Sequence, residues 1–492
     1  MENQRAKTIL LSCVVILVVV CVCLGLVLTG ALGVSLIWPF QSGKQENIPT
    51  PIVETESPQE SLQELPPESI QESPTESVQE ATPESLGNEP EEPSKDLPDE
   101  MTAIINEIES QVTQIRGLSP KESVDRTLIT AEELEEIVVN DFFSEYTDQE
   151  AQQDVLILSA LGLLPGEFDL KNFYNQLYSE QIAGFYDDET KEIYVVQDVD
   201  FGGNEKLTYA HEFTHVLQDQ IYGLQDGLGL NDGACEADSE RCAAVQALIE
   251  GDATQTEILW FQTYASFDDY KDILQSYETF ESPILDSAPA YMAADLLFPY
   301  EKGFDFVVHF YDLDGFAAVD EAYRNPPRST EQILHPENYP TDIPISVTLP
   351  DLSSVLEDGW TLYDQNVMGE WYTFLILNKS HEEAYQLSEA IATEAAAGWG
   401  GDAYAFYLNE NTNEVIFILD TTWDTTDDAD EFEEAFRDYA DLRWEESKET
   451  VMGLNTWRGA DTTVVFSLEK DRTLWVMGPS DQIVETIFLG LQ

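Results

Sequence analysis

Residues 39–100 carry a repeat that cannot build a core, so folding is confined to what lies on either side of it. Glu60-Ser61-Leu62-Gln63-Glu64 is followed by Glu68-Ser69-Ile70-Gln71-Glu72, Glu76-Ser77-Val78-Gln79-Glu80 and Glu84-Ser85-Leu86, a period of eight residues. One aliphatic side chain per repeat leaves no apolar face to bury. Pro58, Pro66, Pro67, Pro74 and Pro83 interrupt any helix. The segment reads as an extended, self-repelling acidic stalk of Pro, Glu, Ser and Gln, disordered on its own, with a helical repeat as the alternative.

Residues 8–38, ahead of the stalk, contain no charged side chain. The run from Ile9 to Leu32 is long enough to cross a bilayer, which takes about 20 apolar residues. Arg5 and Lys7 precede it and acid is dense from Glu46 onward. The positive-inside rule then places residues 1–7 in the cytoplasm and everything after about residue 40 outside the cell membrane. The expectation is a single-pass signal-anchor. A cleaved signal peptide is the competing reading, because Ala31-Leu32-Gly33 resembles a small-x-small cleavage site, but the apolar stretch exceeds a usual signal core. Cys13, Cys21 and Cys23 inside it follow no lipid-attachment pattern.

Charge removes several function classes. With 22 Lys and Arg against 96 Asp and Glu, the formal charge is −74. Nucleic-acid binding needs clustered cations, and adhesion to anionic lipid needs the same. A chain with 43% apolar and 11% aromatic residues nonetheless has material for a folded interior.

From about residue 101 the pattern is globular. Residues 101–117 and 131–162 show helical spacing, and Thr130 with Glu133 makes a capping box. A hairpin follows: a strand from Gln181 to Tyr186, a polar turn, and a returning strand from Glu192 to Val196. Helices are predicted over Leu207–Tyr222, closed by Gly223, over 239–265, and through 284–324, before a Pro-rich loop from Pro326 to Pro344. Beyond it, helical pieces (368–378, 382–397, 428–444, 481–490) alternate with β-rich runs (403–408, 414–419, 462–467, 473–477). The fold class expected is α+β: a mainly helical domain with a small sheet over residues 101–342, then a separate α+β domain over 343–492.

The chain has only five His, and two of them fall in His211-Glu212-Phe213-Thr214-His215. Positions i and i+4 share a helix face, so both imidazoles can reach one ion. Glu212 between them is placed to act as a general base toward a hydrolytic water. A tetrahedral catalytic Zn2+ needs a third protein ligand and one open position. No third His follows; residues 216–220 are Val-Leu-Gln-Asp-Gln. Glu250 fits best, because it sits in Ala247-Leu248-Ile249-Glu250-Gly251-Asp252-Ala253, where a carboxylate among apolar residues demands a partner. Gly251 lets that helix approach another backbone closely. Glu236, Asp238 and Glu240 are nearer in sequence but lie in or beside a polar loop. Cys235 and Cys242 flank that loop, and outside the cell such a pair forms a disulfide.

The HExxH motif with a following Glu-Gly-x-Ala helix resembles the gluzincin metallopeptidases, the thermolysin-like and aminopeptidase-like zincins, over about residues 180–342. It is most similar to bacterial secreted or membrane-tethered members of that clan. The resemblance implies His211, His215 and Glu250 as metal ligands and Glu212 as base. It implies that strand 192–197 is the sheet edge that pairs with an extended peptide. It also implies a later His or Tyr that stabilises the oxyanion, for which His335 and Tyr300 are the candidates. His309, in an apolar helix, reads as a core residue and His381 as uninvolved. Two departures stand out. The gap between His215 and Glu250 is long, and Thr254 occupies the position where thermolysin-like enzymes place an Asp that orients a ligating His; Asp252 or Asp219 is the substitute expected here.

The expected function is therefore a membrane-anchored, extracytoplasmic zinc metallopeptidase acting on peptide or protein substrates. The alternative is a non-catalytic, zinc-stabilised surface binding module, against which the intact Glu212 argues.

Overall fold

The computed structural model describes residues 97–130, 133, 137, 146–181, 184–196, 201–279, 282–356, 358–447 and 450–491. The charge-free run and the acidic repeat lie outside them. Among the described residues no helix is long and apolar enough to cross a membrane. The architecture is α+β: helices around a three-stranded sheet, then a seven-stranded C-terminal sheet.

Helix α1 (Asp99–Arg116) buries Ile105, Ile108 and Val112 along one stripe and ends at Gly117, whose φ of 75° suits a residue without Cβ. Strand β1 (Asp125–Ile129) follows. Thr130 and Glu133 cap each other as expected: Glu133 N–H donates to Thr130 Oγ1 at 3.1 Å and Thr130 N–H to Glu133 Oε2 at 2.8 Å. The helical spacing predicted over 131–162 does not give one helix. A second capping box, Thr147 with Glu150, opens α2 (Asp148–Ala160) afresh. Helix α3 (Leu170–Gln181) takes up the start of the predicted strand, so β2 runs only from Gly184 to Asp187. Strand β3 (Glu192–Val196) returns after a turn in which Asp187 Oδ1 accepts from Glu189 N–H and Thr190 N–H.

The sheet order is β1-β3-β2, with β1 parallel and β2 antiparallel to β3. This corrects the expectation that strand 192–197 is an edge. β3 is paired on both sides because β1, far upstream in sequence, docks beside it. The edge nearer the histidines is β2, and Tyr186 N–H on that strand donates to Glu212 Oε2 at 3.0 Å instead of to another strand.

Helices α4 (Gly203–Tyr222), α5 (Asp232–Ala237), α6 (Ser239–Tyr264) and α7 (Phe267–Thr279) come next. The Cys235–Cys242 disulfide joins α5 to the first turn of α6. The stretch predicted helical over 284–324 is broken by Gly315 at φ 61° into α8 (Ala290–Asp314) and α9 (Phe316–Arg324). A short helix, α10 (Thr330–Leu334), interrupts the Pro-rich loop. α6 and α8 cross in backbone contact: a Cβ on Gly251 would run into the Gly303 carbonyl, and one on Gly303 into that of Ala247.

The C-terminal part contains β4 (Trp360–Asn366), α11 (Gly369–Asn378), α12 (Glu389–Ala396), β5 (Trp399–Asn409), β6 (Glu414–Trp423), α13 (Thr426–Arg443), β7 (Glu445–Glu446), β8 (Asn455–Arg458), β9 (Thr463–Glu469), β10 (Arg472–Gly478) and α14 (Asp481–Gly490). The strands pair antiparallel in the order β4-β5-β6-β10-β9-β8-β7. Alternation along β5 sends Tyr404, Phe406 and Leu408 to one face and Ala403, Ala405 and Tyr407 to the other. The first face packs on Phe432 and Phe436 of α13 and shares its core with Leu158 and Met292 from the N-terminal helices. The second is covered by Val484 and Ile487 of α14. Each such aromatic or aliphatic side chain contributes about 1.5–3 kcal/mol by leaving water. Part of the helical half thus shares an apolar interior with the sheet, to which α8 contributes Tyr291, Met292 and Leu296.

Candidate metal centre

Helix α4 is buried nearly all round, with Leu207, Ala210, Phe213, Val216 and Leu217 in the core and His211, Glu212 and His215 also withdrawn from solvent. Polar side chains in such a helix must find partners inside the protein. The imidazoles of His211 and His215 stand one turn apart, ring centroids 4.8 Å from each other and nearly perpendicular. α6 crosses this helix and delivers Glu250 between them: its Oε2 lies 3.2 Å from His211 Nε2 and 3.5 Å from His215 Nε2. One ligand atom from each of the three residues falls within 4.8 Å of the others.

The other ring nitrogens are engaged. His211 Nδ1 is 2.9 Å from Glu257 Oε2; a carboxylate only accepts, so Nδ1 carries a proton, and in the neutral ring Nε2 is the nitrogen left with a lone pair toward Glu250. His215 Nδ1 donates in the same way to Gln218 Oε1 at 2.8 Å. Gln218 is fixed in turn, its Nε2 donating to the Ile249 carbonyl and to Asp252 Oδ2, both at 3.0 Å. Asp252 is held by Arg116 Nε at 2.8 Å and by the Tyr323 hydroxyl at 2.8 Å. Glu257 and Gln218 were not legible as orienting groups. The available signal was position: Glu257 lies about two turns beyond Glu250 on the same face of α6, and Gln218 one turn beyond His215. Asp252 acts on His215 only through Gln218. Asp219 touches neither imidazole; it accepts from the Tyr186 hydroxyl at 2.7 Å and pairs with Lys191 Nζ at 2.8 Å.

Two polar atoms at the convergence point, His215 Nε2 and Glu250 Oε1, are buried without a hydrogen-bond partner. Leaving such atoms unsatisfied costs about 1–3 kcal/mol each. Two imidazole nitrogens and one carboxylate, with their remaining polar atoms held by neighbouring side chains, suit a tetrahedral zinc with one free position. The residues therefore fit that ion. Their protonation tells the same story. Burial pulls the His211 imidazole down, but the Glu250 and Glu257 carboxylates overcome it and hold its pKa well above the usual range. Burial likewise lowers the His215 imidazole, but Glu250 outweighs it and raises the pKa. Burial would raise Glu250, yet His215 and His211 bring it below the carboxylate norm. The pocket demands positive charge, from protons or from a cation.

Glu212 is placed beside the ligands. Burial raises its pKa against the opposing pull of His215 and His211. It also lines a narrow cleft between the hairpin and α4, with Gly184, Val195, Glu205 and Thr208. Tyr300 of α8 is brought to the site by the Gly251–Gly303 crossing, its ring centroid 6.3 Å from that of His211. His335 is engaged elsewhere: its Nε2 is 2.9 Å from Glu370 Oε1, at the start of α11, and this carboxylate raises its pKa. Of the two candidates for the oxyanion, only Tyr300 has a recorded contact with a ligating imidazole. His309 is half-buried against the Phe310 ring, and His381 lies at the surface with Nδ1 on the Gly162 carbonyl.

Residues 360–487, most of the C-terminal sheet and its helices, match a family described as a domain of unknown function, DUF8575. No curated protein and no solved structure matches the chain.

Proposed function

We propose that this chain is a zinc-dependent metallopeptidase of the gluzincin type, anchored in the cell membrane by residues 8–38 and facing outward on its acidic stalk. The observation that carries the reading is the meeting of His211, His215 and Glu250 around buried atoms that have no other partner, with Glu212 alongside. Bound zinc supplies Lewis acidity, polarising the scissile carbonyl and bringing the pKa of water down toward about 7. His211, His215 and Glu250 hold that ion, and Glu257 and Gln218 keep both imidazoles in the tautomer that can ligate it. Glu212 takes the proton from the attacking water and passes it to the leaving amine; burial raises its pKa, which makes it a stronger base than an exposed carboxylate. Tyr300 is placed to donate its hydroxyl to the oxygen on which charge develops. The edge of β2, ending beside Glu212, offers an extended peptide a strand to pair with.

The test is zinc content and casein hydrolysis by the purified full-length chain and by Glu212→Gln. The expected result is about one zinc in each, with hydrolysis reduced by roughly 10²–10⁴-fold in the variant. If both bind zinc and both are equally inert, the metal is structural and the chain is a surface binding module.

A further inference from the structure

A second meeting of acids lies away from the histidines. Carboxylate oxygens of Glu331, Asp342 and Asp424 fall within 4.8 Å of one another. Glu331 stands on α10 and Asp342 on the loop behind it, while Asp424 follows β6 in the region matched by the family of unknown function. Glu370, in the first turn of α11, is the carboxylate whose charge weighs most on Glu331 without being one of the three. Acid clusters are common on so acidic a chain, and closeness alone indicates nothing. Two further facts distinguish this one. Glu331 is 2% exposed and its carboxylate accepts no hydrogen bond among the described residues. Glu370 is equally buried, and while its Oε1 meets His335, its Oε2 is buried and unpartnered. No Lys or Arg is ion-paired with any of the four among the described residues; His335 is the one basic partner, on Glu370 alone.

Three carboxylates crowded together with no Lys or Arg paired to them repel one another, and a proton or a shared cation relieves that repulsion. The donors are all oxygen, which selects a hard ion. Asp342 and Asp424 are partly or fully open to solvent, which gives such an ion an entry path and room for water. Gln332 ties the ligand segments together by donating its Nε2 to the Asp342 backbone carbonyl.

We propose that Glu331, Asp342 and Asp424 form a calcium site that fastens the C-terminal sheet region to the segment closing the helical part. It stands independently of the zinc reading, since it shares no residue with that site.

Calcium binding to the full-length, zinc-loaded chain tests it, followed by equilibrium dialysis and by terbium emission excited through tryptophan. Wild type takes up one tightly held ion, displaced by calcium, in the roughly 10⁻⁵–10⁻³ M range. Asp342→Asn and Asp424→Asn, both at solvent-accessible positions, weaken that uptake about ten-fold or more. Glu434→Gln, an exposed acid on α13, leaves it unchanged and so separates the site from diffuse binding to the acidic surface. Glu331→Gln raises the melting temperature in calcium-free buffer, because it removes a repulsion, and abolishes the further rise on adding calcium. The proposal is overturned if wild type shows no saturable uptake, or if the Asp342 and Asp424 variants bind as wild type does.

Discussion

Glu257 Oε2 lies 2.9 Å from His211 Nδ1, so the helix that contributes Glu250 to the metal centre also sets the tautomer of the first histidine. Glu257→Ala is expected to weaken zinc binding by roughly 10–100-fold, and Glu257→Gln by less, because an amide oxygen still accepts from Nδ1–H. Competition with a chromophoric chelator measures both. Unchanged affinity in Glu257→Ala would mean that packing alone orients the ring.

Asp252 and Arg116 form an ion pair with both side chains fully buried. Arg116 also pairs with Asp320 Oδ1 at 2.7 Å, so its charge keeps one partner and Asp252→Asn should lower stability by less than the about 3–5 kcal/mol of a fully stranded buried charge. Urea unfolding of the zinc-loaded chain reads this directly. Asp252→Ala, which leaves no acceptor, also takes a partner from Gln218, and a parallel loss of zinc affinity is expected through His215.

On the proposed reading, zinc and protons compete for the same two imidazoles. In the metal-free fold both pKa values lie above the ordinary 6.5. Their contribution to metal-free stability is therefore full below 6.5 and is lost as pH rises through the elevated values. Zinc affinity moves the other way, falling as pH drops through that window. Melting temperatures of the metal-free and zinc-loaded forms should diverge as pH increases from 5 to 9, and parallel curves would contradict the assignment.

Tyr300 and His335 can be told apart kinetically. Tyr300→Phe should reduce kcat by about 10²–10³-fold with little change in KM, the pattern of a donor used only in the transition state. His335→Ala should leave kcat close to wild type. A reversed outcome would reassign the oxyanion group.

The crossing of α6 and α8 admits no methyl group. Gly303→Ala forces the helices apart and should cost about 1–3 kcal/mol, measured by thermal unfolding. Because Glu250 adjoins Gly251 and Tyr300 lies one turn from Gly303, hydrolysis should fall further than stability does.

What could be read from the residues, and what could not, divides by range. The candidate site residues His211, Glu212 and His215 are singled out by local spacing, and Glu250 by being an acid in a largely apolar helix segment. Gly251 announced the close helix approach that Gly303 completes, and the Cys235–Cys242 bond followed from the loop they flank. The long C-terminal strands were legible because alternation persists over many residues. The failures are non-local. β1 is short and largely polar, so nothing in it signals that it docks beside β3 and turns an expected edge into an interior strand. His335 sits on a well-capped turn that suits a functional residue, yet its partner, Glu370, comes from another part of the fold. Thr147 interrupts a helical pattern because a local cap competes successfully with continuation.

No side chain stands between α6 and α8 where Gly251 meets Gly303. There is no spacer there whose size could drift, so substitutions along the rest of either helix leave the approach of the two backbones as it is. Glu250 and Tyr300, each within a turn of the junction, are thereby tied to one another by main chain, a ruler that no neighbouring side chain can lengthen.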